Sequence, residues 1–217
     1  GFGAIWANSA ALAGDGDRGP QRLRVGFVTA DFFSVLGAGA GRGRTFTADD
    51  EIQGAPPGIL LSFPLWQQRF GGDPGVVGRR ILVNGRPTTV IGVMPASFRL
   101  LLPTDSSVPD DLEAFLPFRR NVLEAPRGQQ YLRVVGRLKP GVTLAQARRE
   151  IDAIAARISK EFPEYGSTGR RYDTVSLQAD GVREIRPTLL ALFAGVGILL
   201  LVTCVNVAGL LAAREER

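Results

Sequence analysis

The pattern of apolar and polar positions divides the chain into a long part of mixed polarity and one apolar segment. Residues 189–213 read LLALFAGVGILLLVTCVNVAGLLAA, and the polar interruptions of this run are Thr203 and Asn206. A helix of this length spans about 38 Å, whereas the hydrocarbon core of a bilayer is about 30 Å thick. The pattern therefore predicts one transmembrane helix over residues 188–213.

The part before this segment alternates between strand-like and helix-like patterns. Residues 1–22 are small, Gly-rich and weakly patterned, so they predict an irregular lead-in. Asn84-Gly85 favours the positive φ angles of a tight turn, and it predicts a hairpin between two β-rich runs, 79–84 and 87–94. Period-two alternation or short apolar runs predict further strands over 23–29, 58–61, 112–118 and 131–138.

Helical signals accompany these strands. Thr143 and Gln146 have the spacing of a capping box, which predicts a helix that Pro163 ends. Its apolar residues recur at intervals of three and four: Leu144, Ala147, Ile151, Ile154, Ile158 and Phe162. Shorter helices are predicted over 31–36 and from an N-cap at Ser62. Strands and helices in this mixture predict an α+β fold of two small subdomains, followed by the transmembrane helix.

Composition argues against several classes of function. The 26 Lys and Arg residues exceed the 21 Asp and Glu residues, but they are scattered, which argues against nucleic-acid binding. The chain has no His, and Cys204, its only Cys, lies in the apolar segment. Most metal and nucleophile chemistry is thereby excluded, so we expect no enzyme, no catalytic residue and no cofactor.

Two polar or flexible segments receive structural interpretations. Consecutive carboxylates diverge, so Asp49, Asp50 and Glu51 predict a solvated surface loop and no metal site. The Gly-rich segment 39–43 lacks the strand-to-helix context of a phosphate-binding loop and predicts turns.

Arginines flank both ends of the apolar segment, so the positive-inside rule does not set its orientation. The absence of an initial Met suggests that the chain is a piece of a longer protein.

Three segments resemble one known family in the same order along the chain. They are VTADFFSVLGAGAGRGRTF at 28–46, FPLWQQRFGGDPGVVGRRILVNGRPTTVIGVMP at 63–95, and LRVVGRLKPGVTLAQARREIDAI at 132–154. Together they resemble the MacB-like periplasmic core domain. The final GVGILLLVTCVNVAGLLAAREER at 195–217 is similar to the start of an FtsX-like permease region.

This resemblance implies a permease subunit of a bacterial ATP-binding-cassette (ABC) transporter, active in export or mechanotransmission. Residues 23–182 would form the core domain, and residues 1–187 would lie outside the bacterial inner membrane. The partners it implies are a cytoplasmic ABC ATPase, a second permease in a homodimer or heterodimer, and membrane lipid. The chain has no Walker-type phosphate-binding motif, so ATP would be hydrolysed on a separate subunit or domain.

Candidate functional residues in such a protein are those that let helices pack. Small residues at four-residue spacing permit close helix approach, and the amide of Asn206 needs a polar partner inside a membrane. The candidates are Ala191, Gly195, Cys204, Asn206, Ala208, Gly209, Ala212 and Ala213. The alternative function is a membrane-anchored extracytoplasmic interaction module whose single span acts only as a tether.

Overall fold

The protein is described by a computed structural model covering residues 1–14, 18–103, 107–119, 132–163, 174–177 and 190–204. The chain forms two compact units, Gly1–Thr174 and Val175–Arg217. The strands of the described residues are β1 (Phe2–Leu12), β2 (Gln21–Val28), β3 (Arg42–Gly43), β4 (Gly58–Leu61), β5 (Arg80–Val83), β6 (Arg86–Val93), β7 (Ala114–Pro117) and β8 (Arg133–Gly136). The helices are α1 (Phe32–Leu36), α2 (Ala48–Glu51), α3 (Phe63–Phe70) and α4 (Leu144–Glu161), with a short 3₁₀ helix at Pro74–Val76.

Six of these strands close a ring. Around the ring, each strand pairs with the next in the order β1, β2, β7, β4, β6 and β5, and β5 pairs with β1 to close it. The closing contact is short: Ala13 N donates to Leu82 O at 2.9 Å, and Asn84 N donates to Ala11 O at 2.7 Å. The β2–β7 and β4–β6 pairs are parallel, and the other pairs of the ring are antiparallel. A closed ring leaves few strand edges open, which stiffens this part of the fold.

The ring surrounds an apolar core that α3 covers. Ser62 caps α3 by accepting a hydrogen bond from Leu65 N at 3.3 Å, as its sequence predicts. Trp66 of α3 is 6% exposed, and its indole Nε1 donates to Asp73 O at 2.9 Å. The core comprises Ala10, Leu12, Leu23, Val25, Ile59, Leu61, Leu65, Trp66, Val76, Ile81, Val83, Val90, Val93 and Ala114.

The helix α1 packs on the ring through aromatic residues. Phe32 and Phe33 are fully buried, and the Phe33 ring meets the Phe115 ring edge-to-face at 5.2 Å between centroids. Gly3 of β1 permits this approach, because a Cβ at residue 3 would lie 2.5 Å from Phe32 Cα.

The prediction of an irregular lead-in over residues 1–22 is wrong. Residues 2–12 form β1, which pairs with β2 from Ile5↔Val28 to Leu12↔Gln21. The strand contains one Gly and four Ala residues, and helix α1 approaches it closely at Gly3. These small residues dilute the hydrophobic alternation.

Several predicted elements are confirmed. The hairpin joins β5 and β6 through Asn84 (φ 51°) and Gly85 (φ 75°), and both residues have the positive φ of a type I′ turn. The capping box of Thr143 and Gln146 begins α4. The α+β class is also confirmed, and the boundary between the two compact units, at Thr174, follows the eight strands of the described residues.

The predicted transmembrane helix is only partly within the described residues. Residues 190–204 are helical, whereas 188–189 and 205–213 lie outside the described residues. Among the helices that the structure describes, none is both long and apolar enough to span a bilayer.

Candidate interaction surface

The segment that joins β3 to β4 is held by a buried carboxylate. Both oxygens of Asp50 accept from the Arg44 guanidinium, at 2.5 Å from Nη1 and 2.9 Å from Nη2. Thr47 adds two bonds to Oδ2, from its N at 2.8 Å and its Oγ1 at 3.0 Å. The Arg44 side chain, together with the Thr47 donors, lowers the pKa of Asp50 from 3.8 to about 2. Asp50 is therefore ionised under ordinary conditions and fixes the first turn of α2.

The prediction of a solvated loop for Asp49, Asp50 and Glu51 is thus wrong for Asp50. The Asp50 side chain is 9% exposed, and the segment forms the short helix α2, whereas Asp49 is exposed. The spacing Thr47-x-x-Asp50 resembles a capping box, which is the sequence signal that would have identified this turn.

Arg119 ties the end of β7 to the same segment. Its Nε donates to Asp50 O at 2.7 Å, Nη1 to Ala55 O at 2.8 Å, and Nη2 to Pro56 O at 2.9 Å. One planar donor group thereby satisfies three carbonyl oxygens, one in α2 and two in the loop that follows it. No sequence pattern predicts this, because residues 50–56 and 119 are far apart in the chain.

A groove of about 520 Å³ lies between α1, α2 and the paired strands β1 and β8. Phe2, Ala4 and Val134 line it from the strands, whereas Asp31 and Glu51 line it from the helices. Glu51 Oε1 accepts from Ala30 N at 2.6 Å, which fixes α2 beside the turn that starts α1. Among the residues that the structure describes, the charged ones that line the groove are both carboxylates, so the groove has an acidic wall and an apolar wall.

The described residues contain no group of three or more His, Cys, Asp or Glu side chains with a geometry that could hold a metal ion.

The second unit holds three of the predicted helix-packing residues within the described part. Ala191, Gly195 and Cys204 lie on the helix of residues 190–204, whose side chains are exposed, Leu192 at 64% and Phe193 at 72%. Thr203 Oγ1 donates to Leu199 O at 2.8 Å, which satisfies its hydroxyl within the helix. Asn206, Ala208, Gly209, Ala212 and Ala213 lie outside the described residues, so the packing role of the set stays a prediction.

Comparisons with known proteins agree with this fold. Residues 4–154 match the family model of the MacB-like periplasmic core domain. The fold is similar to the periplasmic region of MacB from Actinobacillus actinomycetemcomitans, at 16% identity and a TM-score of 0.54. That alignment covers 72% of this chain and 66% of the MacB region, so the chain spans just under two thirds of that region's length.

A second solved structure is similar at a lower level. It is the extracellular domain of the noncanonic ABC-type transporter YknZ from Gram-positive bacteria, with 17% identity and a TM-score of 0.48. The alignment covers 71% of this chain and 75% of that domain. Curated protein sequences gave no match to the chain.

Proposed function

Because this chain belongs to the MacB-like periplasmic core domain family, we propose that it forms the extracytoplasmic domain of an ABC transporter permease. Its role is to transmit motion generated by a cytoplasmic ATPase, either for export of a substrate or for mechanotransmission to an outer partner. The observation that carries this proposal is the family match over residues 4–154, together with the α+β fold shared with the MacB periplasmic region.

The construction of the first unit supports a mechanical role. A six-stranded ring closed on itself resists shear because each strand is held on two sides. Arg44 fixes α2, and Arg119 fixes the irregular segment between α2 and β4. A domain that carries force between two attachment points needs this stiffness and needs no catalytic residue.

The proposal extends to topology and assembly. The family suggests that residues 1–187 lie outside the bacterial inner membrane. Residues 188–213 cross this membrane, as their apolar sequence predicts. The exposed apolar side chains of residues 190–204 suit contact with lipid or with other helices of a permease dimer. The FtsX-like permease region, whose start is residues 195–217, is part of the same proposal.

Single-cysteine labelling tests the topology. In a Cys204→Ala background, Ser107→Cys places a thiol at an exposed position of the first unit, and Arg217→Cys places one beyond the apolar segment. We expect a membrane-impermeant maleimide to label residue 107 in intact spheroplasts, and residue 217 only after permeabilisation. Labelling of both residues before permeabilisation would contradict the proposed orientation.

Co-purification separates a transporter subunit from a tether. We expect the tagged chain, extracted from bacterial membranes in mild detergent, to co-purify with an ABC ATPase. The ATPase activity should be higher with the chain present than without it. Recovery of the chain without any ATPase, although it is correctly inserted, would favour the membrane-anchored interaction module.

A further inference from the structure

Asn84 and Gly85, which form the tight turn between β5 and β6, are the one Asn-Gly pair of the sequence. Both residues are exposed, and a Cβ at Gly85 would meet nothing within 4 Å. In such a pair the glycine nitrogen can attack the side-chain amide carbon of the asparagine, because glycine has no side chain that hinders the approach. The turn therefore holds the groups that spontaneous deamidation requires, and water reaches them from the open side.

The reaction is intramolecular, and water is its other reactant. Gly85 N forms a bond to Asn84 Cγ and loses its proton, while the Cγ–Nδ2 bond breaks and Nδ2 takes up a proton and leaves as ammonia. Water then opens the resulting cyclic imide at either carbonyl carbon. Attack at Cγ gives aspartate. Attack at the backbone carbonyl carbon of Asn84 gives isoaspartate, in which Cβ and Cγ become part of the main chain.

The folded turn holds the Asn84 amide away from this reaction. Asn84 Oδ1 accepts from Ala11 N at 2.7 Å, and Asn84 N donates to Ala11 O at 2.7 Å. Beside them, Ala13 N donates to Leu82 O at 2.9 Å. These hydrogen bonds form the contact between β1 and β5 that closes the ring. An intramolecular attack requires a near-attack arrangement of its atoms, so the Asn84 amide has to leave Ala11 N before it can turn towards Gly85 N.

The contact between β1 and β5 is short enough to open locally. It contains one residue pair, Leu12↔Val83, whereas the ladder between β1 and β2 contains eight. Local opening costs less free energy where fewer hydrogen bonds and packed side chains hold a segment. The rate of deamidation is then the rate in the open turn multiplied by the fraction of molecules in which the turn is open.

Asn8 provides an internal comparison, because it is followed by another small residue, Ser9. Asn8 lies within β1 opposite Val25, and Ser9 N donates to Asn8 Oδ1 at 2.8 Å. Attack by Ser9 N on the Asn8 amide requires the ladder between β1 and β2 to open. The fold therefore protects Asn8 more strongly than Asn84.

We propose that Asn84 is a site of spontaneous deamidation, that opening of the contact between β1 and β5 sets its rate, and that isoaspartate keeps this contact open. Isoaspartate adds a main-chain atom to a turn whose loop length fixes the pairing of Val83 with Arg86. It also moves the oxygen that accepts from Ala11 N. Because ammonia leaves, the original closing contact does not form again.

The first experiment follows deamidation in the full chain, held in phosphatidylcholine nanodiscs at mildly alkaline pH. Peptide mass spectrometry measures the loss of ammonia and the formation of isoaspartate at Asn84 and Asn8. We expect Asn84 to react at least about tenfold more slowly in the folded chain than in urea, and Asn8 to react more slowly than Asn84 in the folded chain. Equal rates for Asn84 in the folded and the unfolded chain would overturn control by the closing contact.

Ala11→Pro removes the donor to Asn84 Oδ1. The N–H and C=O of Ala11 both bond to Asn84, so the ladder between β1 and β2 does not use this N–H. We expect about tenfold faster deamidation of Asn84, whereas Ala11→Ser, which keeps the N–H, stays within about twofold of the wild type. Circular dichroism checks that both variants are folded. Equal rates for the two variants would overturn the role of the contact, and no product at Asn84 in either would overturn the site.

Asn84→Asp separates isoaspartate from the added charge, because both carry a carboxylate but only isoaspartate lengthens the main chain. Isoaspartate-containing chain is isolated from the aged sample by ion exchange. We expect the Ala13 amide hydrogen to exchange at least about tenfold faster in it than in Asn84→Asp, with exchange in β4 unchanged. Equal exchange of Ala13 in the two proteins would overturn the loss of ring closure.

Discussion

The charge of Asp50 stabilises the first unit. Its pKa is lowered to about 2 by Arg44 and Thr47, so the folded state prefers the ionised carboxylate. A carboxylate whose pKa is lower in the folded state stabilises the fold at pH values above its pKa in the unfolded chain. This stabilisation is lost as the pH falls towards its pKa in the folded state. We expect Asp50 to contribute about 1–2 kcal/mol near neutral pH, after allowance for the half-exposed Arg44, and to lose it between about pH 4 and pH 2.

Asp50→Asn tests this contribution by urea unfolding across that pH range. We expect it to lower the free energy of unfolding at pH 7, with the difference from the wild type shrinking as pH falls from about 4 to about 2. Asp49→Asn is the matched control, since Asp49 is exposed one position away. A pH-independent difference for Asp50→Asn would show that lost packing, and not charge, explains the effect.

Gly43 and Gly39 provide a second comparison at the residue scale. Gly43 has φ 69°, and a Cβ there would collide with the Ile91 carbonyl oxygen and lie 2.8 Å from Gly92 Cα. A Cβ at Gly39 would meet nothing within 4 Å. We expect Gly43→Ala to destabilise the fold by about 2–4 kcal/mol and Gly39→Ala to be nearly neutral, as measured by thermal unfolding. Similar midpoints for the two variants would contradict the close packing of β3 on β6.

At the scale of elements, α4 depends on its cap more than on packing. None of its residues is buried, and Ile154 and Ile158 are 47% and 38% exposed. We expect Thr143→Ala to lower hydrogen-exchange protection in α4 by about fivefold, equal to about 1 kcal/mol, without changing protection in the ring strands. Thr143→Ser should retain protection because its hydroxyl still caps Gln146 N. Loss of protection in β4 or β6 would indicate packing of α4 on the ring.

The helix α4 also shows what an amphipathic pattern predicts. The capping box and the periodicity of the apolar residues gave the bounds of the helix correctly. They did not predict burial, because a hydrophobic stripe identifies a face that favours contact and not the surface that covers it.

At the scale of the whole molecule, the proposed coupling to an ATPase depends on the apolar segment. We expect Asn206→Leu to leave the first unit folded but to weaken permease assembly or stimulated ATPase activity in reconstituted membranes, because a buried amide bonds across helices. Thr203→Val is the control, since the Thr203 hydroxyl bonds to Leu199 O within its own helix. Unchanged assembly and ATPase stimulation in Asn206→Leu would contradict this role.

Sequence alone determined the elements whose signals are local. The Asn84-Gly85 hairpin, the caps at Ser62 and Thr143 and the short strand at Gly58–Leu61 follow from backbone preferences of a few neighbouring residues. The three motif segments also identified the family, which the match over residues 4–154 confirms. Together these signals were enough for the α+β class.

Tertiary structure decided the features that join distant residues. Strand β1 is stable because β2, β5 and β8 all pair with it, although its four Ala residues and one Gly weaken its own strand preference. The burial of Asp50 depends on Arg44 and on Arg119, which comes from the end of β7. The groove arises where β1, which begins at residue 2, pairs with β8, which begins at residue 133. Such contacts have no signature in any single stretch of the chain, because the partners that create them are brought together only by folding.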